Sequence, residues 1–177
     1  MMVKGPGGPA EVIVRPATSA DVPVLGRFGA LLVSLHHQFD PDRFFAASTN
    51  TEPAYAAFLH SQIGRPDVIV LVAEAAGEVL GYTYAGLEGN DYMALRGPAG
   101  VLYDLVVDPA RRREGIGRTL LDATLLEFEV RGAPRVVLST AERNEAARRL
   151  FASAGFRPTM IEMTRELDPP GAPSGRR

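Results

Sequence analysis

Read from the N-terminus, the hydrophobic positions of this chain switch repeatedly between a period of two and a period near 3.6. The stretch EVIVRPA, from Glu11, alternates as a short strand and is stopped by Pro16. Thr18 followed by Asp21 resembles a capping box with Asp in place of the usual Glu, and Val24, Leu25, Phe28 and Leu32 then recur at helical spacing. HHQFDPDRFFAASTN reads as irregular and aromatic. Tyr55, Phe58, Leu59 and Ile63 predict a second helix from about Glu52, stopped by Gly64 to Pro66. DVIVLVAEAAGEVLGYTYAGL predicts a hairpin turning near Ala76 and Gly77, and GVLYDLVVDP another strand closed by Asp108 and Pro109. Ile116, Leu120, Thr124 and Phe128 mark one face of a helix that ends before Gly132 and Pro134. RVVLST predicts a strand, NEAARRLFASAG a helix stopped by Gly155, and MIEMTREL a final strand. The order β-α-α-β-β-β-α-β-α-β predicts an α/β sandwich around a mixed sheet.

Composition narrows this picture more than it extends it. A chain of 177 residues, 46% of them hydrophobic, suits one core, with the folded region expected at 11–167 between Gly/Pro-rich flexible tails at 1–10 and 168–177. The formal charge of −2 argues against general nucleic-acid binding, so any anion site must be local. The chain has no cysteine, which excludes disulfides, thiol nucleophiles and zinc-thiolate centres. The longest apolar run, VIVLVA, has six residues, against the roughly 20 of a membrane helix, and the N-terminus carries no signal-like apolar stretch. A cytoplasmic protein with no membrane partner is expected. A metal site is not expected, since adjacent His36 and His37 do not readily share one ion and no H-E-x-x-H string occurs.

The segment RRREGIGRTL follows a predicted strand and enters a predicted helix. First-turn N–H groups have no intrahelical partner and the helix dipole favours negative charge there, so this is an anion site in outline. Gly115 and Gly117 would let phosphates approach the backbone, and Arg112, Arg113 and Arg118 offer planar guanidinium groups. A pyrophosphate is the natural guest. A dinucleotide fingerprint would need glycine where Leu120 stands, and no P-loop string is present. The plain alternative is a solvated basic loop in front of a helix.

LVVDPARRREGIGRTLL resembles the R/Q-x-x-G-x-G/A signature of the GNAT superfamily of acyl-CoA-dependent N-acetyltransferases, with Arg112, Gly115 and Gly117 in its defining positions. NEAARRLFASAGF, from Asn144 to Phe156, is similar to the family's N-x-x-A-x-x-L-Y-x-x-x-G-F element with one departure, and VRPATSADVPVL is similar to its first strand and helix. The resemblance implies a single-domain fold with a mixed, mostly antiparallel sheet, splayed fourth and fifth strands, helices on both faces, and acetyl-CoA as co-substrate in the splay. It implies that the backbone of Leu105, Val106 and Val107 meets the pantetheine arm. It also implies that Arg112, Arg113, Glu114, Gly115, Ile116, Gly117, Arg118 and Thr119 cradle the pyrophosphate, that Asn144 bonds the arm, and that Ala147 and Phe151 line it. A homodimer is compatible with it.

The departure is Phe151, where the family often has a tyrosine that protonates the leaving thiolate. A thiol of pKa about 8.5 leaves tolerably without help, so acetyl transfer to a primary amine of a small molecule or peptide is the leading reading. The alternative is an acyl-CoA-binding module without turnover. Asp104 on the strand and Glu142 after RVVLST are the candidate catalytic bases; for Asp104 the competing role is a satisfied strand carboxylate. For the acceptor amine, Tyr82 and Tyr84 share one strand face, and LHHQFDPDRFF brings aromatic and acidic groups together, with His37 and Phe39 as candidate contacts.

Overall fold

The computed structural model describes residues 11–167, and the expected tails at 1–10 and 168–177 lie outside the described residues. Its sheet contains β1 (Ile13–Pro16), β2 (Val68–Ala75), β3 (Glu78–Glu88), β4 (Ala99–Val107) and β5 (Val136–Leu138), arranged in sequential order. The first four pair antiparallel and β4 pairs parallel with β5, which gives a mixed sheet. Helices α1 (Val22–Phe39) and α2 (Thr51–Gln62) cover one face, where Leu25, Phe28, Leu59, Val72, Tyr82 and Val106 form a core. Helices α3 (Ile116–Val130) and α4 (Glu145–Ser153) cover the other, around Ile69, Leu102, Leu120, Phe128 and Phe151.

Local sequence explains most of these boundaries. The Asp21 carboxylate accepts the backbone N–H of Thr18 at 2.7 Å, one half of a capping box, while Arg15 ties it to Glu74 and so joins β1 and β2 to the start of α1. Ala76 and Gly77 adopt φ of 53° and 80°, the paired left-handed conformation that a two-residue hairpin between β2 and β3 requires. Gly155, at φ 88°, ends α4, and the Phe156 N–H returns to the Phe151 carbonyl at 3.0 Å.

Two expectations need correction. The segment from His36 to Phe39 is helical, because nothing interrupts the i→i−4 ladder until Pro41: the N–H of Asp40 still donates to the His36 carbonyl at 3.1 Å. The final strand does not form. Residues 157–167 carry no regular structure and every one is exposed, including Ile161 at 84% and Met163 at 91%. Their alternation suits a strand, but among the described residues they pair with no strand, and the outer edge of β5 is left unpaired.

Candidate active site

Strand β4 builds the site by changing which face its side chains present. Tyr84 of β3 lies opposite Asp104, but the next residue, Ala85, lies opposite Leu102, so Tyr103 is an extra residue in β4. Such a bulge re-aims the chain. Before it, Leu102 points into the core beneath α3; after it, Asp104 points to the opposite face, beneath α1 and α2. Tyr103 leans the same way and stacks on Tyr84 with ring centroids 4.8 Å apart.

Asp104 is 7% exposed. The hydroxyls of Tyr55, from α2, and of Tyr82, from β3, both donate to its Oδ2 at 2.8 Å. Its other oxygen has no hydrogen-bond partner among the described residues, and since no fully buried side-chain oxygen or nitrogen there lacks one, Oδ1 reaches open space. That space is a cavity of about 260 Å³. Helix α1 contributes Leu32, Val33 and His36 to its wall, the following loop Phe44 and Phe45, α2 Tyr55, and β4 Tyr103 and Asp104. Burial pushes the Asp104 carboxyl above its ordinary range, against the opposing pull of the two tyrosine hydroxyls and nearby His36. The Tyr55 and Tyr82 hydroxyls are raised by burial and by the same carboxylate, so they remain donors at neutral pH.

The opposite edge of β4 opens just beyond Leu102. Pairing with β5 covers only Gly100, Val101 and Leu102, against Val136, Val137 and Leu138. The N–H of Asp108 donates back to Leu80 of β3 at 2.8 Å, and strand alternation therefore turns the backbone groups of Leu105 and Val107 toward the gap. Val106 turns its backbone to β3 and its side chain into the core under α1. The splay of the fourth and fifth strands thus begins two residues before Asp104. The two openings meet across this one strand.

At the far end of the gap, α3 begins at Ile116 after Gly115, whose φ is 83°; Arg113, at 72°, is also left-handed. Arg111 is committed to Glu114 at 2.9 Å, and Arg118 to Asp122 at 2.8 Å with Ser153 nearby. Arg112 and Arg113 are exposed and make no ion pair among the described residues. Thr119 Oγ1 donates back to the Gly115 carbonyl. A Cβ placed on Gly117 would stand 3.5 Å from Val107 and 3.6 Å from Leu150, ordinary contacts. Core packing therefore does not require glycine there, whereas a ligand at the helix end would. Asn144 caps α4, its Oδ1 accepting the Ala147 N–H at 3.1 Å, which leaves its amide nitrogen free to donate to a ligand. Phe151 is buried against Phe156 with centroids 5.9 Å apart, and Ala147 packs at the edge of the same core.

The remaining candidates fall around this frame. Glu142 is exposed, and its carbonyl accepts from Arg148. His37 lies outside the cavity lining, its Nδ1 on the Phe44 carbonyl at 2.7 Å; adjacent helical positions point about 100° apart, so it is His36 that faces in. Phe39 also lies outside the lining and accepts Arg143 through its carbonyl at 2.8 Å, which joins α1 to the loop before α4. Tyr82 reaches the site through its hydroxyl alone, and Tyr84 buttresses Tyr103. Tyr55 and Tyr103 carry more of the site than their sequence positions disclose. Tyr55 reads as a core position of an amphipathic helix, and nothing local marks the bulge at Tyr103.

A family model described as Acetyltransferase (GNAT) family matches residues 32–156. A mycothiol acetyltransferase of Thermobispora bispora is 40% identical over 89 residues, which is 48% of this chain and 28% of that protein. The ribosomal protein bS18-alanine N-acetyltransferase of Escherichia coli is 38% identical over 60 residues, 34% of this chain and 40% of that one. The chain thus spans less than half the length of either relative. Among solved structures, a mutant of the BH1408 protein from Bacillus halodurans superposes with a TM-score of 0.74 at 22% identity, over 88% of this chain and 99% of that one. An aminoglycoside N-acetyltransferase in complex with CoA does so at 0.69 and 15%, over 93% and 99%. These likenesses are of fold, and they agree with the splayed mixed sheet described above. With a family model matching well over half of its length, the chain belongs to the acetyltransferase (GNAT) family.

Proposed function

We propose that the protein transfers an acetyl group from acetyl-CoA to a primary amine of a small molecule or peptide. The observation that carries this reading is the placement of a buried carboxylate with one free oxygen two residues past the point where β4 loses its β5 partner. An ammonium group entering the cavity meets Asp104 Oδ1. In a site that disfavours both charges, moving the proton from nitrogen to carboxylate neutralises the pair and frees the amine lone pair. The amine nitrogen then bonds the acetyl carbon as the carbon–sulfur bond breaks. The second proton leaves the nitrogen and one proton joins the sulfur, giving amide, free thiol and one released proton. The backbone N–H at Leu105 or Val107 is the donor available to the carbonyl oxygen as charge builds on it. No covalent enzyme intermediate is required.

The residues at the far end of the gap fit the other half of acetyl-CoA. The first turn of α3, with Arg112 and Arg113 before it, receives the pyrophosphate, and the Asn144 amide faces the pantetheine arm. Because Arg111 is already held by Glu114, Arg112→Glu is expected to weaken acetyl-CoA binding at least tenfold and Arg111→Glu less than threefold in calorimetric titration. Equal losses would contradict this assignment. Glu142, exposed on its loop, is the secondary candidate base.

Phe151 supports a second reading, an acyl-CoA-binding module without turnover, since it has no proton to give the thiolate. Thiol release on adding amines separates the two: turnover supports the transferase, while acetyl-CoA binding without release supports the module. We place the protein in the cytoplasm, where acetyl-CoA is at hand; no helix among the described residues is long and apolar enough to cross a membrane. The charge of −2 gives no support to a nucleic-acid partner. A homodimer accompanies the proposal. Ile161, Met163 and Leu167 alternate in sequence and are exposed, and among the described residues β5 has a free edge for a strand from a second copy. Sedimentation is expected to give a dimer that Met163→Lys weakens; a monomer at micromolar concentration would remove it.

A further inference from the structure

The cavity over Asp104 has a chemistry more selective than that of a general amine site, and its selectivity rests on the acetyl-transfer reading above. Asp104 is the sole acid in its lining. Around it stand Phe44, Phe45, Tyr55 and Tyr103, whose rings offer apolar contact and a negative face to one ammonium group. Most carboxylates beyond the wall are engaged, and Asp42 lies exposed on the loop outside the lining. Glu88 is held by Arg96 and receives the Tyr103 hydroxyl, Glu162 is held by Arg43, and Asp40 accepts the backbone N–H groups of Asp42 and Arg43. The cationic groups nearest the wall add no anion to it. The Arg43 guanidinium lies 5.0 Å from the centre of the Phe44 ring, and His36 faces inward.

We infer that the acceptor is a small amine with a single positive charge on an apolar, aromatic-sized body, and that polycationic amines are poor acceptors. A first ammonium group finds Oδ1 of Asp104. A second on the same small body would face aromatic walls with no further carboxylate in the lining, and a charge drawn away from water there without a partner is disfavoured. At about 260 Å³ the cavity falls just below the roughly 300–1,000 Å³ usual for small-molecule pockets, which suits a body of one ring.

The test compares thiol release from acetyl-CoA with 2-phenylethylamine, spermidine and kanamycin A, for the native chain and for Phe45→Asp. Phe45 is 76% exposed, so its replacement leaves the core intact while adding a carboxylate to the wall. Expected is a kcat/KM for 2-phenylethylamine at least tenfold above either polycation, and a ratio that Phe45→Asp shifts at least tenfold toward the polycations. Faster turnover of spermidine or kanamycin A by the native chain, or a ratio unmoved by Phe45→Asp, overturns the inference. If no amine releases thiol, the transfer reading fails by itself. Tyrosine emission then decides the cavity's preference, because the chain has no tryptophan and Tyr55 and Tyr103 line the site. Tighter binding of 2-phenylethylamine than of kanamycin A upholds the preference, and the reverse order overturns it.

Discussion

Asp104→Asn is expected to reduce amine acetylation by about 10²–10⁴-fold while making the folded protein more stable above neutral pH. The first effect follows from Oδ1, the atom placed to take a proton from the entering ammonium group; an amide cannot take it. The second follows from burial. The folded-state carboxyl titrates above its unfolded value of about 3.9, so the folded state holds the proton more tightly. Stability is therefore greatest below that unfolded value, falls as pH rises through the interval up to the raised folded value, and stays reduced above it. Asparagine carries no charge to bury, and its carbonyl accepts the Tyr55 and Tyr82 hydroxyls as the carboxylate does. Thermal melting should show the variant above the native chain at pH 8, with the gap closing toward pH 4. Acetyl-CoA affinity should not change. A variant that turns over normally, or one that melts lower than the native chain at pH 8, would contradict this account of Asp104.

Gly117→Glu separates binding from folding at the other end of the gap. Gly117 sits in the first turn of α3, where a Cβ makes contacts of 3.5 to 3.7 Å with Val107, Leu150 and Leu105. Replacing a helical glycine and adding an acid near a helix N-terminus are both favourable, together about 1 kcal/mol. The same carboxylate would stand where the pyrophosphate is proposed to lie, and acetyl-CoA binding is expected to fall at least 100-fold, by like-charge repulsion and lost space. Calorimetry and thermal melting check the two halves. Undiminished affinity would remove the helix end as the phosphate cradle, and a large fall in melting temperature would show that glycine serves packing instead.

What could be read from the chain beforehand was whatever depends on neighbours in sequence. The helical spacing of Ile116, Leu120, Thr124 and Phe128 matches the buried face of α3, and Ala76 with Gly77 marks the hairpin. R-x-x-G-x-G is likewise local, since the basic loop, the glycines and the helix start are contiguous. The acceptor cavity was only partly legible because it is assembled across the fold. Tyr55 lies 49 residues from Asp104 in the chain, and their hydrogen bond exists only because α2 settles over β4. The bulge at Tyr103 leaves no mark in the alternation of LYDLVV, yet it decides that Asp104 faces α1 and α2. His36 replaced His37 as the inward residue because the helix continues through both. The alternation of residues 160–167 was legible, but a strand needs a partner, and pairing is not written in one segment alone.

The measurement that tests the central claim most directly is mass spectrometry of the products formed from acetyl-CoA and 2-phenylethylamine, with free thiol counted in the same reaction. The account predicts N-acetylated amine and free thiol in equal amounts, both lost in Asp104→Asn although that variant still binds acetyl-CoA. Acetyl-CoA binding with neither product, for this amine and for the polycations alike, would contradict it and leave a binding module in place of an enzyme.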